Sequence, residues 1–140
     1  MIQGSHSVDT LEELQQVAIE LSHLIRPGDV IHLIGDLGAG KTTFCQYFLA
    51  ANGVTDSVKS PTYTLYETYQ HNSRHYVHMD LYRLTDPEEL FFLGIEDLID
   101  GENILLVEWP DKGQGVLPEA NWILAFSLQN LNRTLTITSK

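Results

Sequence analysis

Positive charge is scarce in this sequence: 8 Lys+Arg stand against 19 Asp+Glu, a net charge of −11 at pH 7. Tight autonomous binding to nucleic acid rests mainly on cations facing phosphates. A chain this acidic is poorly equipped to hold a polynucleotide alone, so in a nucleic-acid pathway another protein is expected to hold it. Cysteine is nearly absent. Cys45 is the one thiol, which excludes an internal disulfide, and its place in an apolar helical stretch marks it as a small core residue rather than a reactive group. Long apolar runs are missing too. No stretch approaches the roughly 18 residues that cross a bilayer, and no basic segment followed by an apolar one opens the chain. The expectation is a cytoplasmic protein without membrane contact. Repeats, low-complexity tracts and linkers are also absent. The 140 residues, 43% of them hydrophobic, suit one domain, 1–140, and are too few for two.

What is present is an octet, Gly35-Asp36-Leu37-Gly38-Ala39-Gly40-Lys41-Thr42, which fits G-x-x-x-x-G-K-[ST], the loop that wraps nucleotide phosphates. Glycines let the backbone take positive φ and approach oxygens without a Cβ clash. Successive N–H groups from Gly38 through Thr43 can then converge on an anion. Lys41 is placed to reach the β- and γ-phosphates, and Thr42 to offer its hydroxyl to Mg²⁺. The flanks agree: Val30–Ile34 is a β-branched apolar run, and Thr43–Ala51 is a helical stretch that Asn52-Gly53 stops. A strand entering the loop and a helix leaving it are what phosphate binding at a helix N-terminus requires.

Around this unit, Asp9-Thr10-Leu11-Glu12-Glu13 opens a helix with capping-box spacing, and Arg26-Pro27-Gly28-Asp29 closes it. Thr62–Tyr69 has strand propensity. Gln70–Arg74 reads as a hairpin loop and His75–Tyr82 as the return strand. Asp86-Pro87-Glu88-Glu89 reads as a helix start, with Asp at the N-cap and Pro at N1, and Gly94 interrupts that helical region. Ile104–Glu108 is a second buried strand. Trp122–Leu128 and Arg133–Thr138 form a terminal hairpin. Strands alternate with helices early and pair antiparallel later. The expected fold is α/β: a three-layer P-loop NTPase-like domain whose mixed central sheet is flanked by helices.

Glu108 is the second chemical signal. Four aliphatic residues ending in a carboxylate are how a strand beside the phosphate loop delivers an acid to the C-terminal edge of an open sheet, where ligands bind. The usual acid there is Asp, holding the metal. Glu108 either serves the metal or orients the attacking water. Asp80 shares a strand face with His78 by period two and needs a partner in an apolar, aromatic stretch: Arg83 is the structural option, a metal-shell or water-positioning role the functional one. Ser60, Thr62 and Thr64 occupy the place of a hydroxyl-bearing segment that senses the γ-phosphate, or of a Ser-Pro turn before an ordinary strand. His71, His75 and His78 are not a zinc set, because no cysteine lies near and the spacing spans a hairpin tip. Solvated or strand-packed histidines are expected instead. Trp109, next to Glu108, is either core or a neighbour of the chemistry.

The phosphate loop does not specify the base. There is no N-K-x-D element of guanine-specific switches, and four arginines (Arg26, Arg74, Arg83, Arg133) do not make the lid of a small-molecule kinase. ATP hydrolysis without a second small substrate is the simpler case. A metabolite phosphotransferase and a nucleotide-sensing binding module remain the alternatives. Four blocks decide further. Gly35–Phe44, Ser60-Pro61-Thr62-Tyr63-Thr64-Leu65, His78-Met79-Asp80-Leu81-Tyr82-Arg83-Leu84 and Leu106-Val107-Glu108-Trp109-Pro110, in this order, together resemble the TsaE family. The likeness runs from the first helix to the final hairpin. It implies a small P-loop ATPase, weak alone, that supports turnover of a TsaB–TsaD complex. There TsaD, not this subunit, transfers threonylcarbamoyl to adenosine 37 of tRNA, and tRNA is met only through the partners. It implies Thr42 and Glu108 as Mg²⁺ ligands, Lys41 as the phosphate lysine and Asp80 in the catalytic shell. Ser60, Thr62, Thr64 and Trp109 would be switch-like, and Thr10, Asn132 and Arg133 would contact adenine or ribose.

Overall fold

A computed structural model describes residues 2–55, 58, 61 and 64–140. The elements run β1 (Gly4–Ser7), α1 (Leu11–Ser22), β2 (Val30–Ile34), α2 (Lys41–Ala51), β3 (Tyr66–His71), β4 (Arg74–Asp80), α3 (Glu89–Phe92), α4 (Ile95–Leu98), β5 (Ile104–Glu108), a 3-10 turn (Pro110–Gly113), β6 (Trp122–Gln129) and β7 (Asn132–Ser139). The strands form one seven-stranded sheet in the order β1-β7-β6-β2-β5-β4-β3. The pairs β6/β2, β2/β5 and β5/β4 are parallel, whereas both margins are antiparallel. This is the expected mixed α/β sheet with helices on its faces.

Alternation along the strands sorts the core. Tyr76, Ile104, Leu106, Ile31, Leu33 and Leu124 face the α1–α2 layer, where Leu14, Val17, Leu21, Phe44, Phe48 and Leu49 meet them. Val77, Met79, Leu105, Val107 and Val30 face the opposite way, onto Leu81, Leu84, Leu90 and Ile95. Each fully buried aliphatic or aromatic side chain contributes roughly 1.5–3 kcal/mol. Every residue of β5 is buried, which is why it reads as a continuous apolar run rather than an alternating one. Among the described residues no helix is long and apolar enough to cross a membrane.

Local features differ from the sequence reading: β3 begins only at Tyr66, and β4 ends at Asp80 rather than Tyr82. The hairpin loop is two residues, not five: Asn72 and Ser73 both take positive φ (50° and 66°), and Gln70, His71 and Arg74 join the ladder, as in the tight turns whose twist matches a hairpin. The region after Asp86-Pro87 is two four-residue helices parted at Gly94 (φ +74°). There Asp86 does not cap a helix; its Oδ1 accepts from the Glu88 N–H at 3.0 Å. Finally, β1 adds an unforeseen edge strand on β7.

Candidate active site

The parallel strands β2, β5 and β4 end together at one edge, where ligands sit in open α/β sheets. In register, Leu33 lies opposite Glu108, and Glu108 opposite Asp80. The octet turns out of β2 at this edge and returns as α2. Gly40 is the N-cap with φ +107°, and Gly38 takes +78°. A side chain at either position would be strained in this left-handed region. The first helical bond runs from the Phe44 N–H to the Gly40 carbonyl at 2.9 Å. The N–H groups of Lys41, Thr42 and Thr43 therefore have no acceptor within the helix and carry the positive end of its dipole.

A cleft of about 260 Å³ opens on that helix end, lined by Leu37, Gly38, Gly40, Lys41, Thr42, Thr43, Asp80, Tyr82, Glu108, Trp109 and Arg133. Lys41 is only 4% exposed. Its Nζ donates to the Gly35 carbonyl and stands 3.8 Å from the centre of the Trp109 ring, a cation–π distance. Burial pushes the ammonium below its ordinary pKa, and Glu108 and Asp80 pull it back up. Thr42 Oγ1 donates to both Glu108 oxygens, at 2.9 and 3.0 Å. Glu108 is 2% exposed and has a further neighbour: His78 Nε2 lies 2.6 Å from its Oε2. Asp80, 7% exposed, accepts from the Tyr82 N–H at 3.1 Å. Trp109 holds φ +59° and ψ +52°, a conformation that costs a bulky residue roughly 1–3 kcal/mol. Its ring stands 5.0 Å from that of Tyr82.

The structure thus brings together Gly38, Gly40, Lys41, Thr42, Thr43, Asp80, Glu108, Trp109 and Arg133. Ala39 turns its side chain into the core, and its N–H donates to the Asp36 carbonyl at 3.1 Å. Thr10 makes the capping box with Glu13, and Asn132 begins β7 beside Arg133. Neither lines the cleft. Asp9 ties the two segments together by accepting from the Arg133 N–H at 2.7 Å. Thr64 donates to Glu67 ahead of β3, and the next residue, Leu65, accepts from the Asp80 N–H at 2.9 Å. Ser60 and Thr62 lie outside the described residues. Sequence reasoning missed Tyr82, although it stands two residues beyond Asp80 on the same segment, and it missed the His78–Glu108 contact.

One thiol borders the site. Ligand atoms of Cys45, His78 and Glu108 lie within 4.8 Å of one another. Burial, reinforced by the charges of Glu108 and Asp80, holds the thiol well above its ordinary pKa, so it stays protonated and a poor nucleophile and metal ligand. Native protein is expected to resist a disulfide reagent over a period in which urea-unfolded protein reacts fully. Fast stoichiometric labelling of the native chain would show the thiol to be accessible.

The chain has relatives. A family model described as threonylcarbamoyl adenosine biosynthesis protein TsaE matches residues 8–135. Curated relatives called tRNA threonylcarbamoyladenosine biosynthesis protein TsaE include one from Haemophilus influenzae, 53% identical over 92 residues, covering 66% of this chain and 58% of that protein. Another, from Rickettsia conorii, is 41% identical over 110 residues, covering 76% of this chain and 61% of the relative. The chain therefore spans less than two thirds of the length of these two. A third, from Rickettsia bellii, is 36% identical over 122 residues, covering 84% of this chain and 82% of the relative. The crystal structure of Bacillus subtilis YdiB superposes with a TM-score of 0.80 at 30% identity, covering 96% of this chain and 84% of that one. Since the family model takes in both the phosphate-loop octet and the acid that meets it, the chain belongs to the TsaE family.

Proposed function

We propose that this chain binds ATP with Mg²⁺ and hydrolyses it as an accessory subunit of tRNA threonylcarbamoylation at adenosine 37. In this role it supports turnover of a TsaB–TsaD complex that carries out the transfer. One observation carries the reading: the Thr42 hydroxyl and the Glu108 carboxylate meet at 2.9–3.0 Å beside a helix N-terminus that also holds a buried lysine. The first-turn N–H groups of α2 and the Lys41 ammonium bind and orient the phosphates. Thr42 and Glu108 offer only hard oxygen donors, a set that fits Mg²⁺. They would hold that ion, whose contribution when bound is to neutralise charge on the phosphates. Asp80, opposite Glu108 on the neighbouring strand, shares the task of ordering the nucleophile's surroundings. The Trp109 ring lies against the Lys41 ammonium and limits water there. Arg133 closes the far wall, where Thr10 and Asn132 would approach the base or ribose.

The acidity of the chain fits a subunit that meets tRNA only through its partners, in the cytoplasm where tRNA is modified. Activity is expected to be weak in isolation. The test is to reconstitute tRNA modification with and without this chain, supplying ATP separately from a preformed threonylcarbamoyl donor. Multiple rounds are expected only with both the chain and hydrolysable ATP. Multiple rounds with a non-hydrolysable analogue would establish a sensing module instead. A phosphorylated metabolite formed by the isolated chain, seen by mass spectrometry, would establish a phosphotransferase.

A further inference from the structure

Glu108 is held from two directions. Thr42 Oγ1 reaches both carboxylate oxygens from α2, and His78 reaches Oε2 from β4 at 2.6 Å. The placement follows from register. β4 runs parallel beside β5 with His78 opposite Leu106 and Asp80 opposite Glu108. Alternation then puts His78 and Asp80 on the face that carries Leu106, the α2 side. His78 is wholly buried there.

A carboxylate only accepts, so the hydrogen between the two groups sits on Nε2. The other ring nitrogen, Nδ1, is buried and has no hydrogen-bond partner among the described residues. All the polar bonding of this imidazole is therefore spent on Glu108. A histidine kept only for packing between Tyr76 and Asp80 leaves an unsatisfied nitrogen that an apolar residue would avoid. Glutamate at this strand end is one methylene longer than the aspartate usual there, with one more torsion to fix. Burying a Glu side chain costs up to roughly 2 kcal/mol in rotamer freedom. Thr42 contacts both oxygens almost equally and so does not tell them apart. His78 does. Partners of this kind orient metal-facing ligands in many sites.

We propose that His78 is the positioning residue for Glu108: its Nε2–H pins the carboxylate in one rotamer and makes its two oxygens inequivalent before nucleotide arrives. The proposal rests on the ATPase reading for its kinetic consequence, but the bond itself is open to direct measurement.

Two variants of matched polarity test it. His78→Gln places an amide N–H at the distance of Nε2, and His78→Asn places it at that of Nδ1, short of Glu108. In the assembled complex, His78→Asn is expected to lower kcat for ATP about tenfold or more with KM within about threefold, and His78→Gln to restore most of the loss. Equal kcat for the two variants, whether both normal or both low, would overturn the proposal. The second arm is nitrogen NMR of histidine-labelled protein free of nucleotide. The Nε2–H form is expected at His78, and its proton signal should shift when Glu108 is replaced by alanine. The Nδ1–H form, or a signal indifferent to Glu108→Ala, would overturn the proposal. If the wild-type assembly consumes no ATP, the ATPase reading fails, and the NMR arm decides the His78–Glu108 bond by itself.

Discussion

Replacing Lys41 by alanine is expected to weaken ATP binding on the order of 100-fold, close to 3 kcal/mol at ~1.4 kcal/mol per factor of ten. The ammonium is buried at the helix end, between the Gly35 carbonyl and the Trp109 ring. Four acids, Glu108, Asp80, Asp36 and Asp111, act on it. On the proposed reading, taking the cation away removes a charge-assisted contact to phosphate, worth about 1.5–3 kcal/mol. It also leaves a negative cleft for a polyanion to enter. Lys41→Met separates burial from charge, since methionine fills much of the buried space of the lysine side chain while lacking the charge. Both variants should melt cooperatively and both should show the same large loss of affinity. Calorimetric titration with ATP and Mg²⁺ reads the result. Binding by Lys41→Met within about threefold of wild type would show that the charge does not meet the phosphates.

The parts of this site that were legible in the sequence are those set by local rules. Glycine spacing and the β-branched run fix the loop and β2, and an aliphatic run ending in Glu108 announces a buried parallel strand. Hidden parts depend on pairing between distant segments. His78 meets Glu108 only because β4 adopts one register against β5, and a shift of one residue would turn His78 to the opposite face. β1 is Gly-Ser-His-Ser, with no alternating pattern; it becomes a strand through its bonds to β7. Asn72-Ser73 lacks the glycine that advertises a tight hairpin, so the loop looked longer than it is. Nor does Trp109 carry any local mark of its positive φ, because aromatic residues avoid that region unless their surroundings enforce it. The Pro110 that comes after it, beginning the 3-10 turn, disfavours the ordinary helical alternative for the preceding residue.

Glu108→Gln should spare binding and abolish turnover. The amide has nearly the volume of the carboxylate, so the strand edge and the α2 contact survive. The charge does not survive, and neither does the pattern of acceptors. In wild type both oxygens accept, from Thr42 and from His78. In the variant one position becomes an NH₂ donor facing hydroxyl or imidazole donors, and the group must rotate or leave one of them unpaired. On the proposed reading Lys41 and the backbone N–H groups, not this acid, meet the phosphates, so ATP affinity is expected to stay within about fivefold. Hydrolysis in the assembled complex is expected to fall about 100-fold or more, in the range seen when a group that positions a proton acceptor or a charge is removed. Glu108→Ala should behave the same way with a larger loss of stability, since it also leaves His78 and Thr42 facing a void. Single-turnover hydrolysis beside calorimetric binding separates the two quantities. A Glu108→Gln protein that hydrolyses ATP at the wild-type rate would place the decisive acid elsewhere. Asp80, opposite it in register, would then be the next residue to replace, because it is the other carboxylate lining the cleft among the described residues.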